Sequence, residues 1–193
     1  MAVTVVGLTS VVAACSGEAS QEGEHLRGPG SDGQWYAVGG VAAVGEPLSF
    51  GNFVALAEGE DRPVTLEKIE LVGVHGLHVV GVTVNGPGRS FGMIGATHGY
   101  PPPEVQQDAL PLPGAVVPRG DPTTTRQRGL AVTFGVRRDE PGRGYATGFA
   151  VTYTVGGAER QAVFRTGITL CAFENYVRGT TPQPECTSVE EPD

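Results

Sequence analysis

The residues of this chain that could do chemistry are few and scattered. Gly88-Arg89-Ser90-Phe91-Gly92 has the spacing G-x-S-x-G, which makes a nucleophile of a serine on a sharp strand-to-helix turn. Here Met93-Ile94-Gly95 follow with no helical pattern. The only histidine after Ser90 is His98, and no acid lies between them, so the triad order fails. A small serine hydrolase is the weakest reading. His75 and His78 flank a Gly-Leu turn, and with His98 and Met93 they could suggest copper or zinc handling. Blue copper needs a thiolate with histidine or methionine close behind, and nothing after Cys171 is either. Zinc needs three or four converging ligands, so these histidines are expected on the surface or in turns, with no metal and no cofactor. Glu58, Glu60 and Asp61 crowd one turn but match no calcium loop; a solvated acidic turn is expected. Arg137, Arg138 and Arg143 gather between two strands as solvated turn arginines, with anionic wall polymer or lipid as the alternative contact.

Cysteine carries the strongest signal. Ala2 to Ala14 form an uncharged run too short to span a bilayer as a helix and suited to the apolar part of an export signal. The run ends in Val12-Ala13-Ala14-Cys15, followed by Ser16-Gly17. This tetrapeptide resembles the lipobox of bacterial lipoproteins, although no lysine or arginine precedes the apolar run. The resemblance implies a signal peptide over 1–14, cleavage after Ala14, and lipid on Cys15 that holds the protein on the outer face of the cell membrane. Two or more acyl chains are what stable anchoring requires. With Cys15 so used, Cys171 and Cys186 remain as a pair, and an oxidising exterior favours their disulfide. The whole chain resembles small cell-envelope lipoproteins of high-GC bacteria, a group that supplies no catalytic residue. Twelve arginines against the single Lys68 fit such a genome.

The elements that must position these residues are read from periodicity. Glycine (30) and proline (15) supply nearly a quarter of the 193 residues, which favours turns and strands over long helices. Residues 15–33 lack any apolar period and are expected to form a flexible tether. From residue 34 to 175 apolar and polar residues alternate with period two. Tyr36–Val44, Leu48–Ala57, Val64–Leu71, Leu77–Asn85, Leu130–Arg137, Phe149–Val155 and Phe164–Leu170 read as strands. The phase slips by one at Glu67-Lys68, as a β-bulge would produce, and Gly156-Gly157 reads as a tight hairpin turn. Seven strands with one apolar face each predict an all-β, immunoglobulin-like β-sandwich, although a jelly roll or a barrel would show the same pattern. Trp35, at its start, is expected to cover an open end of the core. Ser90–Ile94 could add a short edge strand. The rest of the proline-rich stretch 86–122 is expected to be extended, either crossing between sheets or offering Tyr100, Pro101, Pro102 and Pro103 to a partner. Residues 176–193 are expected to be a tail pinned by the disulfide.

The net charge of -8, with no basic run, excludes nucleic acid as a partner. The expectation is a lipid-anchored extracytoplasmic binding or adaptor module contacting another envelope protein or a wall polymer, and no enzyme. A metal-handling envelope lipoprotein is the alternative.

Overall fold

The structure is a computed structural model, and it describes residues 25–31, 34–57, 60–86, 95–118, 129–179 and 186. Its strands, in chain order, are β1 (Leu26–Arg27), β2 (Tyr36–Ala43), β3 (Leu48–Leu56), β4 (Val64–Val72), β5 (His78–Asn85) and β6 (Gly95–His98). A single helical turn, α1 (Pro103–Gln106), leads to β7 (Ala109–Leu110), β8 (Ala115–Val117), β9 (Leu130–Arg137), β10 (Gly142–Val155) and β11 (Ala158–Phe173). The seven expected strands all form, and β1, β6, β7 and β8 are additions to them. Each addition has four residues or fewer, too short for a periodic signal.

The strands make two sheets. One runs β1-β3-β9-β5-β7, with β6 also on β3, and the other runs β2-β11-β10-β4-β8. Lettered in chain order, β1, β3, β4, β5, β9, β10 and β11 become A to G, and the sheets read A-B-E-D and C-F-G. That is the immunoglobulin order, so the fold is the expected immunoglobulin-like β-sandwich. β2 extends the second sheet at its edge, parallel to β11, from Tyr36 opposite Thr166 to Ala43 opposite Phe173.

Alternation explains the core. Leu48, Phe50 and Val54 of β3 and Val132, Phe134 and Val136 of β9 turn inward from one sheet. They meet Leu66, Ile69, Phe149, Val151, Ile168 and Leu170 from the other. The rings of Phe134, Phe149 and Phe164 form a chain across the interior, with centroids 5.3 and 5.1 Å apart. Each such ring contributes about 1.5–3 kcal/mol by burial. Opposite Thr152 lies Lys68 and opposite Tyr153 lies Leu66, so the ladder skips Glu67 at the predicted bulge. The extra residue lets both Leu66 and Ile69 face the core. Val155 pairs with Ala158 across Gly156 and Gly157, whose φ angles of 58° and 81° make the two-residue turn that only glycine adopts cheaply.

Two boundaries need correction. The tether expected over 15–33 stops short, because His25–Ser31 lie on the body. Leu26 is fully buried, β1 pairs with Ala55 and Leu56, and the Ala57 amide donates to the His25 carbonyl. The Phe164 ring fills the space beside Gly28, so only a residue without a side chain passes there. Residues 15–24, with Cys15, and the signal segment 1–14 lie outside the described residues. The proline-rich stretch is also less bare than expected, since β6, β7 and β8 all make ladder bonds. β7 belongs to the first sheet and β8 to the second, so the chain changes sheets between Leu110 and Ala115, as the crossover reading has it. Ser90–Ile94 lies outside the described residues.

Candidate functional site

The expected disulfide is present. Cys171, near the end of β11, bonds Cys186 with a Cα separation of 5.7 Å. It closes a 15-residue loop, which restricts the unfolded chain by about 3 kcal/mol. Cys171 is buried and Cys186 half-exposed.

A cleft of about 330 Å³ opens beside it, lined by Gly39, Gly40, Val41, Leu48, Ala96, His98, Tyr176 and Cys186. Among the described residues β2 has a ladder on one side only, and it faces β6 with no ladder between them. At Gly40 β2 comes so close to β3 and β6 that a Cβ would meet Leu48 Cδ1 of β3 at 2.5 Å and Ala96 of β6 at 3.2 Å. His98 is fixed from two sides. Its Nδ1 lies 2.9 Å from Glu46 Oε1, and its ring stacks on Tyr176 at 6.0 Å. Glu46 Oε2 in turn accepts the Ala43 amide at 3.1 Å. Burial pushes the Glu46 carboxyl up, but the Ala43 amide, His98 and Arg178 outweigh it and leave it below its ordinary value. The cleft offers strand backbone, one oriented imidazole and a phenol ring. Such a set can bind.

Tyr100–Pro103 forms a strap on the outer face of the first sheet. The Tyr100 ring lies over Gly81 and Gly135, so closely that a Cβ added at either would run into it. Its hydroxyl is 2.8 Å from Thr83 Oγ1. Burial raises the Tyr100 pKa, and the Thr83 bond opposes the shift. Beyond it Pro102 and Val105 are buried, and the Val105 carbonyl accepts Asn85 Nδ2 at 2.7 Å. The exposed Pro103 and half-buried Pro101 are what the strap leaves for a partner.

The remaining candidates disperse. His75 packs on the Tyr145 ring at 4.7 Å, and His78 lies 3.9 Å from Asp139. Among the described residues no group of three or more His, Cys, Asp or Glu could hold a metal ion. Ser90, Met93 and Glu58 lie outside the described residues, and Trp35 is half-buried. The solvated-turn reading is wrong for Arg138, whose guanidinium donates to the carbonyls of Gly76, Arg143, Glu140 and Pro141 and so ties the β4–β5 and β9–β10 turns together. Arg143 lies over the Tyr145 ring.

The acidic turn is not simply solvated either. The Glu60 side chain is only 7% exposed and takes three bonds from Arg62, through its amide, Nε and Nη2, as well as Nδ1 of His25. The Arg62 side chain and amide, helped by His25, hold the Glu60 carboxyl down at about 2. His25 is itself buried and meets the Tyr153 ring edge-on. Sequence reasoning missed this cluster, because His25 and Glu60 are far apart in the chain and only β1 docking joins them.

No protein-family model matches the chain, and no curated protein does. Among solved structures it is similar to a Vibrio cholerae protease, VesB (10% identity, TM-score 0.33), over 77% of this chain and 32% of that one. The chain thus spans about a third of that structure's length. It is also similar to a PapD-like domain of human CEP192 (9% identity, TM-score 0.38), over 88% and 100% of the two chains. A third likeness is to the CooA pilin subunit of enterotoxigenic Escherichia coli (12% identity, TM-score 0.38), over 77% and 99%. Likenesses this distant carry no inference about what the chain does.

Proposed function

We propose that this chain is a lipid-anchored binding or adaptor module on the outer face of the bacterial cell membrane. The observation that carries the reading is the Cys171–Cys186 disulfide taken with the Val12–Cys15 motif. Disulfides persist in oxidising compartments, and a lipidated Cys15 uses the odd thiol of an exported protein. The chain enters the sandwich near the end of β3, beside the β10–β11 turn. An anchor at Cys15 therefore attaches the module at that end and leaves the cleft and the disulfide at the other, where an envelope protein or wall polymer can reach them. The anchor keeps the module where such partners are, and the loops do the binding.

Fractionation of cells expressing the full chain tests this reading. The wild type is expected in the detergent phase of the membrane fraction, and Cys15→Ala in the soluble fraction. Equal partitioning of the two would overturn the anchor.

A further inference from the structure

The two sulfurs of the disulfide are not equally placed. Cys171 is only 7% exposed on β11, whereas Cys186 is half-exposed and lines the open cleft. Thiol–disulfide exchange is directed by which sulfur an incoming thiolate can reach, and exposed disulfides are the labile ones. Access here singles out Sγ of Cys186. The same cleft presents an imidazole that is already oriented. Glu46 engages His98 Nδ1 at 2.9 Å and the Tyr176 ring stacks on its face, so Nε2 is the nitrogen left for whatever enters. Around this imidazole the charged and titratable groups are Glu46, Tyr176 and Arg178, the last acting through the Glu46 carboxylate. A disulfide that serves only as a staple has no need of such a neighbour.

We propose that Cys186 is a modification site, at which a small peptide-like thiol enters the cleft and forms a mixed disulfide. The incoming thiol gives its proton to His98 Nε2 and attacks Sγ of Cys186 as the thiolate. As the new S–S bond forms, the bond to Cys171 breaks. The Cys171 sulfur leaves with the electron pair and takes the proton back from the imidazolium. One thiol and one disulfide enter the reaction and one of each leaves it, so no separate oxidant or reductant is consumed. The product opens the 15-residue loop that the native bond closes. A cleft of about 330 Å³ lies at the small end of ligand pockets, which suits a thiol of di- or tripeptide size better than a folded thiol protein.

The test uses the full chain carrying Cys15→Ser, which removes the third thiol, with reduced glutathione in excess as the probe. Samples are quenched in acid, unfolded, alkylated and mapped by peptide mass spectrometry. Early samples are expected to carry glutathione on Cys186 and the alkyl group on Cys171. His98→Gln should slow the reaction by about tenfold or more at neutral pH. It should also steepen the pH dependence to that of glutathione ionisation alone, a change that a purely structural role for His98 would not produce. In the reverse direction, Cys171→Ser offered glutathione disulfide should be capped on Cys186 faster than Cys186→Ser is capped on Cys171. Glutathione on Cys171 in early samples, or the opposite order of capping, would overturn Cys186 as the point of attack. Exchange no faster than the global opening read from amide exchange in β9 would make the disulfide a fold staple and overturn the site. An unchanged rate and pH slope in His98→Gln would overturn the part given to the imidazole. None of these outcomes depends on lipid at Cys15.

Discussion

Asn52 turns its side chain inward from β3 between Phe50 and Val54, and neither its amide nitrogen nor its oxygen has a partner among the described residues. A buried group left unpaired forfeits its hydration without a return. Asn52→Leu, which keeps the branch at Cγ and replaces the polar atoms by methyl groups, should therefore raise stability by roughly 1–3 kcal/mol in urea denaturation; a loss of stability would show that the amide is satisfied or that the larger methyls do not fit. Glu60 is the opposite case, a carboxylate fully engaged by Arg62 and His25. With its pKa lowered to about 2 from an ordinary 4.5, it favours the fold above pH 4.5, and that contribution is lost as pH falls toward 2. Thermal melts should show the wild type losing stability across this window, with Glu60→Gln lower at neutral pH and flatter through it. Parallel curves for the two proteins would contradict the assignment.

Among the elements, the strap and the sheet beneath it depend on each other. Gly135→Ala would drive a Cβ into the Tyr100 ring, so it should cost about 1–3 kcal/mol in the wild type and much less with Tyr100→Ala. An additive double-mutant cycle would show that the ring gives way freely. This scale also shows what the residue pattern could reveal. The seven longer strands were legible because each alternates over many residues, and the Glu67 bulge because one skipped residue shifts the phase of everything after it. The Gly156-Gly157 turn was legible because tight hairpins require positive φ. β1 was not, since Leu26 and Arg27 sit among Gly, Ser and Glu, and only the place in the core that Leu26 fills selects the segment. The disulfide could be reached by counting cysteines. The cleft could not, because the approach of β2 to β6 is a tertiary fact with no local trace. Tyr100 reads from the sequence as part of a crossover or a partner-contact loop, and its partial burial depends on two glycines in other strands.

At the scale of the whole molecule, the chain is an immunoglobulin-like sandwich entered at one end and closed by a disulfide near the other. The proposed anchor lies ahead of the first end and the cleft beside the second, so membrane attachment and binding would occupy opposite poles. That division makes Cys15 the residue on which location and role depend. Intact-mass and peptide mass spectrometry of the protein purified from its native membrane tests it most directly. The account predicts a chain beginning at Cys15 with acyl mass on that residue, and Cys171 joined to Cys186. A chain that retains residues 1–14, with Cys15 unmodified, would contradict it.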